Sequence, residues 1–210
     1  MRAAQKLDGP FMTDLLGASE GTDMVIVFCM HVPIDGEEKV HNVQVAVSNG
    51  KIVAAYTKLH LYDAFVTKES ERVVPGNEIP PLFEVAGMKV GMLTCYDVRF
   101  PELARHHAIA GADVLVLPAA WIKGPGKEHH WKSTITVRAL ENTCYVVAVG
   151  ECGPRNIGSS MVVDPLGIAT VMAGSEPSLI FSDISAERIE KSRAALPVLK
   201  NRRFAQQKLA

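Results

Sequence analysis

Cys95 closes a short apolar run, Val90 to Thr94, and stands ahead of Pro101-Glu102-Leu103-Ala104-Arg105, where a Pro occupies the first turn of a predicted helix. A thiol on a turn from strand to helix lies near backbone N–H groups, which favour thiolate and can hold a developing oxyanion. That chemistry is nucleophilic: the thiolate attacks a carbonyl, a thioester forms, and water releases it. Position alone leaves packing open for Cys95, since buried cysteines are usually inert.

Lys58 sits in Tyr56-Thr57-Lys58-Leu59-His60-Leu61 at the exit of a hairpin strand, where composition alone reads a solvated lysine. The adjacent His129, His130 and Trp131 have no carboxylate or cysteine at ligand spacing, so they read as packing and pocket residues instead of a metal site. Arg99 and Glu102 read as a salt bridge that orients the turn after Cys95. Cys144 and Cys152 read as core or edge thiols.

These side chains need strands and helices to position them. Helical spacing of Leu15 and Leu16 predicts a helix starting at Phe11, and Met24 to Met30 is an unbroken apolar run that predicts a strand buried on both faces. Val43 to Val47 and Ile52 to Tyr56 flank Asn49-Gly50, a hairpin signal because type I′ turns need positive φ at both centres. Residues 63–82 carry charge, Pro and Gly without period and predict a long surface loop. Strands follow at Val114 to Leu117, Cys144 to Val149 and Leu179 to Ile184, with a strand-turn-strand over Met161 to Ile168. Helices are predicted over His130 to Asn142 and Ala186 to Ala194, and Pro197 to Ala210 is irregular and basic. Alternating strands and helices with hairpins predict a layered α/β protein with a mixed sheet, as one domain over residues 1–210.

The 210 residues carry 22 Lys and Arg against 23 Asp and Glu, a formal net charge of −1. Without a basic run, nucleic acid and anionic membranes are excluded as natural partners, which leaves small molecules. No run approaches the roughly 20 apolar residues of a membrane span, and the N-terminus lacks the order of a signal peptide. Four cysteines outside any disulfide framework suit a reducing cytoplasm.

The strings Lys58-Leu59-His60-Leu61, Pro75-Gly76, Gly91-Met92-Leu93-Thr94-Cys95-Tyr96-Asp97-Val98-Arg99-Phe100-Pro101-Glu102, Leu117-Pro118-Ala119-Ala120-Trp121, Arg138-Ala139-Leu140-Glu141-Asn142 and Asp164-Pro165-Leu166-Gly167 resemble the nitrilase superfamily of carbon–nitrogen hydrolases. The resemblance extends over nearly the whole chain and implies an αββα sandwich, a hydrolase of non-peptide carbon–nitrogen bonds, and a Glu-Lys-Cys triad. By motif, Cys95 is the nucleophile and Lys58 the cation that stabilises the oxyanion. Glu69 matches a second glutamate placed beside the substrate, with Glu71 its near competitor, and Tyr96, Arg99, Trp121 and His130 are implied as substrate-binding residues.

A Glu closing a strand in a Leu-Pro-Glu pattern is expected upstream of Lys58. Asp8, Asp14, Glu20, Asp23, Asp35, Glu37 and Glu38 do not match it, so the expectation is a domain lacking the first strand–helix unit, with Glu69 as the substitute base. The strings are most similar to the Nit branch, whose substrates are small carboxylate-bearing amides such as deaminated glutathione. Arg99, Lys123, Lys127 and Arg155 are the candidates to clamp such a carboxylate. The resemblance also implies a homodimer and neither cofactor nor metal. An inactive homologue that binds without turnover, and an acyltransferase that passes the thioester to an amine, are the competing expectations.

Overall fold

A computed structural model describes residues 3–65, 67–205 and 209, and the chain separates after Phe83 into two compact units. The first opens with α1 (Pro10–Ser19), whose Pro10 occupies the first turn, where its missing N–H has no partner to lose. β1 (Ile26–Pro33), β2 (Val40–Ser48) and β3 (Lys51–Thr57) form an antiparallel sheet in that order. Asn49 and Gly50 turn β2 into β3 with φ of 46° and 70°, the left-handed pair that the hairpin signal calls for.

Strand period two divides this sheet. Ile26, Phe28, Met30 and Val32 of β1 pack with Val43, Val45 and Val47 of β2 around the fully buried Met12 of α1. The register sets His31 opposite Asn42 and Cys29 opposite Gln44, so these four share the other face. β1 was expected to be buried on both faces, but it is half-buried throughout, because it is an edge strand with α1 packed on one side. Within the expected 63–82 loop lie β4 (Asp63–Ala64) and β5 (Thr67–Lys68), which pair, and a 3₁₀ turn over Glu69–Glu71.

The second unit is built on a six-stranded mixed sheet. Its strands are β6 (Phe83–Val85), β7 (Met88–Met92), β8 (Val114–Ala119), β9 (Tyr145–Gly150), β10 (Met161–Val163) and β11 (Ala169–Met172), in spatial order β11-β10-β9-β8-β7-β6. β7, β8 and β9 run parallel, and β10 and β11 antiparallel, as the connections require: α2 (Pro101–Ile109) and α3 (Lys127–Asn142) cross over between the parallel strands. α4 (Ala186–Ala195) and α5 (Val198–Asn201) follow. The strand expected over Leu179 to Ile184 does not form, since these residues pair with no other strand.

His107 of α2 is 1% exposed and donates its Nε2–H to the carbonyl of Met92, 3.0 Å away. Gly91 allows this approach, because a Cβ there would stand 2.8 Å from the ring. Burial drives the imidazole down to about 4, so the fold holds it neutral. An unfolded chain binds this proton near pH 6.5 and the folded chain only near 4, so stability is complete above pH 6.5 and falls as pH drops towards 4. Urea unfolding is expected to show a loss of about 2 to 3 kcal/mol at pH 4.5 relative to pH 7 that disappears in His107→Gln. An identical acid loss in that variant would refute the assignment.

Candidate active site

Cys95 lies three residues past the carboxyl end of β7 and opens a 3₁₀ turn, Cys95–Arg99. Its φ is 48°, a left-handed conformation that costs a non-glycine residue about 1 to 2 kcal/mol. Two devices hold it there. Thr94 and the fully buried Asp97 form a capping box, in which the Thr94 hydroxyl accepts from the Asp97 N–H and Asp97 Oδ2 accepts the Thr94 N–H at 2.9 Å. From α3, Arg138 donates Nε to the Val98 carbonyl at 2.9 Å and Nη2 to that of Arg99 at 3.4 Å, while Glu141 holds its Nη1. The helix begins at Pro101, where the sequence places it, after Phe100 returns to extended backbone.

All four cysteines are thiols. Cys144 is completely buried and its pKa is pushed up to about 12 by burial, which makes it unreactive, whereas Cys95 is half-buried.

Trp121 follows the carboxyl end of β8 as Cys95 follows that of β7, and neighbouring parallel strands bring their following loops together at one sheet end, where α/β proteins bind ligands. There the four residues expected to bind substrate converge. The Arg99 guanidinium lies 4.8 Å from the ring centre of Trp121 and 5.9 Å from that of Tyr96, and its Nη2 donates to His130 Nδ1 at 3.3 Å. Partial desolvation first, and then the Arg99 cation, hold His130 below the usual imidazole range, so it stays neutral and accepts that bond. Among the described residues Arg99 has no carboxylate partner and its buried Nε has no acceptor. The expected Arg99–Glu102 salt bridge is therefore absent: Arg99 turns onto the aromatic rings and Glu102 stays exposed.

Of the other clamp candidates, Lys127 is 5% exposed with its Nζ 5.7 Å from the Trp121 ring centre. Lys123 and Arg155 are exposed, and Lys123 is spent on the Gly153 carbonyl.

In the first unit Lys58 is 2% exposed, which overturns the solvated reading, and its Nζ meets Glu69 Oε2 at 2.5 Å. Glu69 Oε2 also accepts the Tyr62 N–H at 2.6 Å, and Oε1 accepts from Asn42 Nδ2 at 3.4 Å. Asn42 in turn accepts the Lys58 backbone N–H at 2.9 Å, so β2, β3 and the 3₁₀ turn lock one buried ion pair. Glu71 is exposed and takes no part. Asn42 and Asp97 escaped the sequence reading; Thr94-x-x-Asp97 carries the spacing of a capping box, whereas Asn42, in an alternating strand, carries no signal. Among the described residues no group of three or more His, Cys, Asp or Glu could hold a metal ion, and no helix is long and apolar enough to cross a membrane.

Left-handed backbone at Cys95 has a measurable consequence. Cys95→Gly is expected to be more stable than Cys95→Ala by about 1 kcal/mol in urea unfolding, because only glycine adopts this φ freely. Equal stability would show that the turn relaxes.

The family described as carbon-nitrogen hydrolase matches residues 1–194. Deaminated glutathione amidase of Escherichia coli O157:H7 is 52% identical over 205 residues, covering 98% of this chain and 78% of that relative. Among solved structures, Nit3 of Saccharomyces cerevisiae, a member of branch 10 of the nitrilase superfamily, superimposes with a TM-score of 0.84 at 28% identity, covering 96% of this chain and 75% of that one. An amidase variant from Nesterenkonia sp. AN1, with the acetamide moiety of fluoroacetamide covalently added at the active-site cysteine, superimposes with a TM-score of 0.77 at 28% identity, covering 91% and 69%. By sequence match and by fold, the chain belongs to the carbon–nitrogen hydrolases of the nitrilase superfamily.

Proposed function

We propose that this chain is an amidase that hydrolyses a small carboxylate-bearing amide of the deaminated glutathione type through a thioester on Cys95. One observation carries the substrate class: Arg99 presents a guanidinium with a buried, acceptorless Nε beside two aromatic rings and a histidine, at the end of the nucleophilic turn. A cation held without a counter-ion is suited to a carboxylate, which both pairs its charge and accepts its Nε–H. The 52% identical relative named deaminated glutathione amidase supports the same class.

In this reading Tyr96, Arg99, Trp121 and His130 bind the substrate acid, and the Cys95 thiolate attacks the amide carbon. The Lys58 ammonium and the backbone N–H following Cys95 stabilise the oxyanion; losing such a donor typically costs about 3 to 4 kcal/mol of barrier. The substrate's amine departs, taking up a proton, as the tetrahedral intermediate collapses, and water then cleaves the thioester to free the acid. Both Glu69 oxygens are already engaged, so Glu69 serves by fixing the Lys58 ammonium in place instead of as the substitute base. Residues 1–210 act as one hydrolase domain, in the cytoplasm and as a homodimer.

Mass spectrometry after brief mixing with deaminated glutathione is expected to show a mass gain on the Cys95 peptide equal to the substrate acyl group, and no gain in Cys95→Ala. Acylation confined to Cys29 or Cys152 would refute the assignment.

A further inference from the structure

Lys127 opens α3 and is only 5% exposed, an uncommon setting for a lysine. The Trp121 Nε1–H donates to its carbonyl at 3.1 Å, so the indole and the first turn of the helix are fixed together. Its stem lies across Gly124, where a Cβ would stand 3.4 Å from Lys127 Cγ, and its Nζ comes 5.7 Å from the indole ring centre. His130 follows three residues later on α3, hence on the same helix face, and its Nδ1 accepts from Arg99.

Trp121 therefore carries two cations, the Arg99 guanidinium at 4.8 Å and the Lys127 ammonium at 5.7 Å. Both charges reach His130: after desolvation, Arg99 and then Lys127 hold its imidazole below the usual range. One guanidinium is enough to pair a carboxylate. The second cation acts on whatever group the substrate carries beside that carboxylate, and its field sorts such groups by charge. An oxo oxygen is attracted and an ammonium repelled.

Deaminated glutathione and glutathione differ at that carbon alone, the first bearing an oxo group and the second an ammonium. We propose that Lys127 is a specificity residue, whose ammonium donates to the oxo group of a 2-oxo acid amide and turns away the 2-amino counterpart; this rests on the amidase reading above. The two peptides share every other group, so carboxylate binding at Arg99 and attack by Cys95 do not tell them apart. A like charge placed beside the carboxylate site does.

Release of cysteinylglycine from each peptide gives the test, read as the ratio of kcat/KM for deaminated glutathione to that for glutathione. Wild type is expected to favour deaminated glutathione by at least about hundredfold, and Lys127→Met to lower this ratio at least about tenfold, since one of two like charges is removed. Lys127→Arg keeps the charge and is expected to keep the ratio. Damage to the indole platform alone lowers both values together and leaves the ratio untouched. Where glutathione turnover is too slow to follow, competitive inhibition by 2-oxoglutarate, the free acid, against that by glutamate reads the same preference. A wild type without preference, a ratio unchanged in Lys127→Met, or a ratio lost equally in Lys127→Arg overturns the role of Lys127 and leaves the amidase standing. A wild type that cleaves neither peptide overturns both.

Discussion

A cysteine held at positive φ is the constraint on which the second unit turns. Cys95 would relax into ordinary backbone unless its neighbours paid for the left-handed conformation, and they do so with buried hydrogen bonds. Asp97 is fully buried only because it caps the same turn it belongs to, and Arg138 reaches from α3 to the last two carbonyls of that turn. The parallel pairing of β7, β8 and β9 matters for the same reason. It stacks the strand ends that launch Cys95 and Trp121, so that the nucleophilic turn and the aromatic platform under Arg99 come from one sheet end.

Two cations, Lys58 buried and Arg99 half-buried, play opposite parts. Lys58 is matched by Glu69, whose oxygens are filled by an ammonium, a backbone N–H and an amide, and a charge so satisfied is rigid. Arg99 has aromatic faces and an imidazole but no carboxylate, and after desolvation its charge is the next cause that holds His130 below the usual imidazole range. A rigid, paired cation suits charge that appears only in a transition state, whereas an unpaired one suits charge that the substrate already carries.

Much of the fold was legible from pattern: the Asn49-Gly50 hairpin, the β7–turn–α2 unit and the α3 helix all follow from period and punctuation. Failures came where tertiary context decides. The Leu179 to Ile184 run has the composition of a strand, but a strand exists only by pairing, and no neighbour within the sheet supplies it. Lys58 looked like any surface lysine because its counter-ion is eleven residues away in a stretch with no periodicity. Arg99 was read as paired with Glu102 because the two are three residues apart, and sequence cannot see that the rings of Tyr96 and Trp121 offer a better surface. The motifs around Cys95 identified the ancestry; the physical setting of each side chain came only from the structure.

Release of the amine fragment, cysteinylglycine, from deaminated glutathione tests the central claim most directly. Wild-type chain is predicted to release many equivalents of cysteinylglycine per polypeptide with a matching amount of the free acid, and Cys95→Gly, although folded, none above buffer. Release that persists in Cys95→Gly, or wild-type chain that releases none, would contradict a thioester mechanism at this turn.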